Sequence, residues 1–199
     1  MNTDKDKIIE LPQPNMDGSI SLEKVIAGRR SRRNFLRETL TLEQIDQLVW
    51  AAQGQDTGSR YRTAPSAGAT YPLEVFVVTS EGLFHYLPQK HILEMLAEKD
   101  LRGELAGAAW GQGFIEAAPL TIVFAVQFSR TTGRYGQRGI RYVYMEAGHA
   151  AQNVGLQAEA MGLGSVAVGA FDDTSVSRLL SLPDYLEPVY MVVVGHYRE

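Results

Sequence analysis

Residues 119–126 read PLTIVFAV, an almost unbroken apolar run rich in branched side chains. A strand with one wet face alternates apolar and polar residues, so a run without alternation predicts a central strand covered on both faces. A chain carrying it must supply layers on either side. With 199 residues, 45% of them hydrophobic, that means one domain with one core.

The flanking text supplies the layers. Residues 1 to about 20 are polar and hold Pro12 and Pro14, which predicts an extended arm that wraps a neighbour; residues 21–199 form the domain. SLEKVIA at 21–27 makes two helical turns, and Gly28 can take the left-handed conformation that ends them. Thr41 and Gln44 bracket a capping box opening a helix with Leu42, Ile45, Leu48, Val49 and Ala52 at helical spacing, ending near Gly54. Residues 54–72, GQDTGSRYRTAPSAGATYP, fit neither period and read as a loop. LEVFVVT at 73–79 and LFHYL at 83–87 form a hairpin through Gly82. Residues 90–110 read as short helices anchored by Leu93, Leu96, Leu101 and Leu105. Residues 139–161 are the longest helix, with Ile140, Val143, Tyr144, Ala147, Ala151, Val154, Ala158 and Met161 on one face. Strands at 165–168 and 188–196 enclose a helix that Asp172 or Asp173 caps and that runs to about Leu182. Helices, a hairpin, then β, long α, β, α, β make an α+β fold with one mixed sheet.

Several chemistries drop out. The chain has no cysteine, which removes disulfides, thiolate metal sites and cysteine nucleophiles. Its net charge of −4 argues against coating nucleic acid or an anionic membrane. The first residues lack a signal-peptide core and no apolar run approaches the ~20 residues of a membrane span, so the chain reads as soluble and cytoplasmic. Gly162, Gly164 and Gly169 run from helix into strand, the reverse of a dinucleotide fingerprint. Glu146 and His149 stand three apart on the long helix, but a carboxylate-bridged metal site needs two such pairs, so no metal is expected. Ser66 lies in no Gly-x-Ser-x-Gly elbow.

One local feature runs against the acidic balance. GRRSRRNF at 28–35 puts four arginines into five positions directly after a helix end. Planar guanidinium donors and a hydroxyl in one irregular segment suit bidentate binding of a phosphate or a polar heterocycle. A solvated basic loop fits the composition as well.

Four pieces in order, RRSRR at 29–33, PSAGATYP at 65–72, GIRYVYMEAGHAAQN at 139–153 and GLGSVAVGAFDD at 162–173, resemble the flavin-dependent nitroreductase superfamily. The second and third are most similar to its SagB-type dehydrogenases. The resemblance covers about residues 20–198. It implies a mostly antiparallel sheet flanked by helices, with the long central helix at the interface of a homodimer and FMN bound there. It assigns Arg29, Arg30, Ser31 and Arg33 to the phosphate, ribityl chain and pyrimidine edge, with Arg32 facing away. Pro65, Ser66, Ala67 and Gly68 would reach from the other subunit to line the flavin. Val168, Gly169 and Ala170 would pass beside the ring, the Gly169 amide standing at N5 where many relatives carry a glutamate. Gln152 and Asn153 would lie near the site or the subunit contact, and Arg198 would answer to a basic residue that relatives place on the phosphate. Loops at 54–64 and 128–138 would cover the flavin's face.

The implied function is ping-pong hydride transfer from NAD(P)H or an organic donor to a small-molecule acceptor such as a nitroaromatic or quinone, with no catalytic side chain required beyond positioning. Two alternatives follow: oxidation of azoline rings in a modified peptide, or a flavin-binding module without efficient turnover. The azoline reaction in relatives uses a lysine and a tyrosine. Tyr142 and Tyr144 offer phenols, but residues 100–145 contain no lysine.

Overall fold

A computed structural model describes residues 8–55, 58 and 61–199. Its centre is the expected strand: β5 (Leu120–Val126) is buried at all seven positions. It lies in a seven-stranded sheet with β1 (Ile8–Glu10), β2 (Leu73–Thr79), β3 (Leu83–Leu87), β4 (Ile92–Ala97), β6 (Gly164–Val168) and β7 (Glu187–Gly195). The order is β1-β4-β3-β2-β5-β7-β6. Every pairing between these strands is antiparallel.

Period-two alternation sends successive side chains of β5 to opposite layers. Leu120, Ile122, Phe124 and Val126 meet α2 (Leu42–Gln53) and α6 (Arg138–Ala160) through Leu48, Val49, Ala52, Val143, Ala147, Val154 and Ala158. Val123 and Ala125 face the layer of α3 (Arg102–Ala108), α4 (Phe114–Ala117) and α7 (Asp173–Leu179), through Leu105, Ile115 and Val176. The fold is therefore α+β, with an antiparallel sheet between two helical layers.

The capping box at Thr41 and Gln44 forms as the sequence requires, with both reciprocal bonds present. Three elements differ from expectation. Within 90–110, Leu93 and Leu96 stand at helical spacing, yet Ile92–Ala97 is a strand paired with β3, and the helix begins only at Arg102. The turn before it places His91 at φ 54°, and Lys90 N and His91 N both donate to Leu87 O.

The second difference is the arm, whose first seven residues lie outside those described. Ile8–Glu10 pairs with β4 of its own chain. The His91 ring holds the next stretch: its Nε2 lies 2.8 Å from the Pro12 carbonyl and 2.8 Å from Asp46 Oδ1. Asn15 and Gln47 exchange two further bonds.

The third is α6, which outruns the sheet. Ile140 and Tyr144, expected in the buried face, are 37% and 54% exposed. There the helix rests on α5 (Phe128–Tyr135), an element that replaces most of the loop expected at 128–138. The two backbones pass so closely that a Cβ on Gly139 would stand 2.9 Å from Thr132 Cα. Among the described residues no helix is long and apolar enough to cross a membrane.

Candidate functional site

The helix α1 (Leu22–Gly28) delivers the arginine segment to the open edge of β6. Ser21 caps its start by accepting from Lys24 N. Gly28 is the last helical residue and does not take the left-handed conformation; its bare Cα serves close approach, since a Cβ there would stand 2.5 Å from Glu159 Oε1. The chain then runs alongside β6. Ser31 bridges Ser165, and Arg32 N donates to Ser165 O at 2.9 Å. The C-terminal segment closes over it, with Leu36 N donating to His196 O and Arg198 N to Asn34 O.

The four arginines divide three to one. Arg32 pairs with Glu159 at 2.5 Å and stacks on the Tyr197 ring at 4.4 Å. Arg29, Arg30 and Arg33 have no carboxylate within ion-pair distance among the described residues, whereas Arg102 and Arg130 do. Arg30 turns back to the carbonyls of Ala27 and Arg29 at 2.8 and 2.9 Å, and Arg33 lies over the Phe114 ring at 5.7 Å. Ser31 is exposed. Arg29 crosses α6 at Gly155, where a Cβ would meet its Cδ at 3.6 Å and Ser165 Oγ at 3.7 Å. Guanidiniums without a carboxylate partner, beside exposed backbone, have the donor chemistry that a phosphate-sized dianion needs.

Gly155 permits a steric test of this arrangement. Gly155→Ala adds an ordinary van der Waals contact and should stabilise α6 by up to about 1 kcal/mol. Gly155→Leu should displace Arg29, at about 1–3 kcal/mol of overpacking, and weaken anion binding in a protein that still folds. Isothermal titration and thermal melts of both variants check this.

The Pro-Ser loop sits over the other half of α6. Ser66 Oγ accepts from Tyr71 N at 2.9 Å, Ala69 N donates to Ser66 O, and Thr70 Oγ1 meets Thr131 Oγ1 at 2.8 Å. Gly68, Ala69 and Tyr71 have φ of 62°, 53° and 45°. Left-handed backbone at the two non-glycine positions costs on the order of 1–3 kcal/mol each, a strain that persists only where surrounding contacts impose it. Arg134 and Arg130 impose it here by donating to Gly68 O and Tyr71 O. Pro65 is exposed and Ala67 half-buried at the loop's crest.

Beneath this loop lies Glu146, which the sequence presents only as a candidate metal ligand. It is 2% exposed, whereas His149 is exposed, so the two do not share a site. Among the described residues no group of three His, Cys, Asp or Glu could hold a metal ion. Burial pushes the Glu146 carboxyl up to about 7, against the opposing pull of Ser66, Arg62 and Gln53. A glutamate at a helix position flanked by Val143, Ala147 and Ala150 is the signal in the sequence that points to it.

The sign of the resulting pH dependence follows from linkage. Below 4.5 the group is neutral in both folded and unfolded chains; between 4.5 and about 7 the unfolded chain ionises first, so stability falls as pH rises. The full loss is about 3 kcal/mol. Glu146→Gln should lack this component, so its stability relative to the parent should rise from pH 5 to pH 8 in denaturant titrations.

At the far end of β6, Val168 is buried while Gly169 and Ala170 are exposed. Gln112 Nε2 donates to Ala170 O at 2.8 Å, and Asp172 N to Ala108 O, which fixes the turn. A Cβ on Gly169 would touch the Tyr190 ring at 3.6 Å. Gln152 is exposed one turn from Gly155, whereas Asn153 is a staple, its Nδ2 donating to Ala51 O and Thr63 O.

Along β6, Ser31 bridges Ser165, Arg29 lies against α6 at Gly155, Arg33 lies over Phe114 on the other helical layer, and residues 168–170 end the strand. The Pro-Ser loop stands apart: it meets α6 at Glu146, nine residues or about 13.5 Å along the axis from Gly155. Two clefts of about 440 and 760 Å³ open beside the arm, lined by Trp50 and Thr63 rather than by the arginines.

Comparison with known proteins places these features in context. The model of the nitroreductase family matches residues 26–196. A Methanocaldococcus jannaschii protein named as a nitroreductase is 40% identical over 193 residues, covering 94% of this chain and 96% of that protein. The microcin B17-processing protein McbC of Escherichia coli is 29% identical over 76% of this chain and 65% of its own length. A solved structure from Ralstonia eutropha JMP134, also named as a nitroreductase, superposes with a TM-score of 0.86 at 29% identity, covering 100% of this chain and 93% of that one.

Proposed function

Because the chain belongs to the nitroreductase family, and is thereby an oxidoreductase, we propose that it holds FMN in the arginine cradle and works as a homodimer. The observation that carries this reading is the placing of the arginines: Arg29, Arg30 and Arg33, none paired with a carboxylate among the described residues, follow one another in a segment that runs along the edge of β6. FMN held there would supply hydride-transfer chemistry between NAD(P)H or an organic donor and a nitroaromatic, a quinone or a similar acceptor.

The chain's own residues bind and orient. Arg29 and Arg33, with Arg30 and Arg198, would neutralise the phosphate, Ser31 would offer a hydroxyl to the polar chain, and the exposed Gly169 and Ala170 after the buried Val168 would pass beside the ring, the Gly169 amide supplying a donor. Small residues at Gly169 and Ala170 leave the ring face open to a flat substrate held near attack distance.

Dimerisation is supported by two features. The Pro-Ser loop lies about 13.5 Å along α6 from the cradle of its own chain, which suits a loop that completes a second subunit's site. The exposed face of α6 carries Ile140, Tyr144 and Met145, and α1 exposes Leu22 and Ile26, apolar surface of the kind subunit contacts cover. A dimer by sedimentation, and turnover of NAD(P)H only when FMN is added or retained, are the expected results. A flavin-loaded protein that every acceptor reoxidises slowly after photoreduction would instead mark a flavin carrier.

Likeness to the microcin-processing protein supports a second reading, oxidation of azoline rings in a peptide. It stands behind the first. Tyr142 and Tyr144 are packed edge-on against Tyr135 and Phe128, and residues 100–145 provide no lysine to work with them.

A further inference from the structure

We propose that Glu146 is a positioning residue for the Pro-Ser loop: its carboxylate, acting through the Ser66 hydroxyl, holds residues 65–71 in the strained backbone that FMN binding requires. The inference rests on the reading of that loop as flavin-lining.

The hydrogen-bond count under the loop leads there. Ser66 Oγ already accepts from Tyr71 N, so its own proton is free for an acceptor below. We assign the Glu146 carboxyl, buried at 2% exposure, as that acceptor, since Ser66 and Gln53 both favour its charged form. Yet Glu146 Oε1 is buried with no hydrogen bond, and so is the neighbouring donor Gln53 Nε2. Two complementary polar groups left open in one apolar pocket cost stability without helping the core, and proteins retain such groups where a site needs them.

The surroundings keep the carboxylate within reach of ionisation. From the loop after α2, Arg62 donates to Gln53 Oε1 at 2.9 Å and lies over the Tyr71 ring at 4.6 Å. From β2 and α5, Glu74 and Arg130 pair with each other and act on Arg62. Also from α5, Arg134 and Tyr135 close on Gly68 from above. Among the described residues of α6 itself, no other charged group is buried beside Glu146. Arg62 on Gln53 and Ser66 on Tyr71 thus bring both loops over this end of α6, with the open Glu146 carboxyl between them; in the proposal, its charge sets how firmly Ser66 anchors Tyr71.

The test compares FMN affinity of the parent and Glu146→Gln by fluorescence quenching from pH 5.5 to 8.5. The ratio between the two proteins cancels the titration of the FMN phosphate. The inference expects that ratio to grow with pH in favour of the parent, by about fivefold or more, and amide exchange at residues 66–71 to be faster in the variant at pH 8.5 without flavin. Ser66→Ala should reproduce both effects, which keeps the test decisive if Glu146→Gln folds poorly. A folded variant with a constant ratio and unchanged exchange overturns the inference. Flavin uptake by neither protein overturns the reading of the cradle and loop instead, and the inference with it.

Discussion

Alanine at both Arg29 and Arg33 is expected to weaken FMN binding by about 3–6 kcal/mol, that is, roughly 10²- to 10⁴-fold, with little loss of fold stability. Each charge-assisted hydrogen bond to an ionised group contributes about 1.5–3 kcal/mol, so two sum to about 3–6 kcal/mol before the coupling that a shared anion introduces between neighbouring groups. The fold should tolerate the change because neither guanidinium holds a carboxylate of the protein among the described residues. Arg32→Ala supplies the contrast. It removes the Glu159 pair and the contact with Tyr197, so it should cost about 1 kcal/mol of stability and leave flavin affinity near the parent's. Titration calorimetry with FMN and denaturant melts on the same preparations separate the two outcomes. Equal loss of affinity in both variants would mean a diffuse basic patch rather than a cradle.

Phe124→Ala is expected to destabilise the protein by about 3–5 kcal/mol, the range for emptying a fully buried aromatic position. Phe124 is fully buried on the central strand, on the face that carries α2 and α6. Removing the ring leaves a cavity that neighbours on both sides are too constrained to fill, because β5 is hydrogen-bonded to β2 and to β7 along its length. A loss of this size is a large fraction of a typical 5–15 kcal/mol total. It also undermines the support of α6, so flavin retention should fall on warming well before that of the parent. Chemical denaturation monitored by circular dichroism measures the first effect, and flavin fluorescence during heating measures the second.

How much of this is legible in the sequence depends on how local the cause is. PLTIVFAV announces a doubly covered strand because its residues leave no alternative, and the Thr41 capping box needs only its own four residues. Ile92–Ala97 reads as helix because Leu93 and Leu96 fit a helical spacing, while the partner strand that decides the matter, β3, is recognised only once the turn at His91 closes. Ile140 and Tyr144 keep the helical period of a buried face, but they stand where α6 rests on α5 and remain exposed, Tyr144 meeting only the edge of Phe128 there among the ring contacts. In the site, the arginines and the glycine turn after β6 are visible as text. The pairing that sets Arg32 apart is not, since Glu159 lies 127 residues away. Glu146 is invisible in its structural role, because what defines it is the meeting of Ser66 and Gln53 over one buried carboxyl.

The central claim, a flavin enzyme built on the Arg29–Arg33 cradle, meets its most direct test in one spectrum. Purified protein incubated with FMN and passed through a desalting column should emerge yellow, with the visible flavin bands shifted from those of free FMN and bleached by NAD(P)H or dithionite under anaerobic conditions. A colourless eluate, with all the flavin in the small-molecule fraction, would contradict the account.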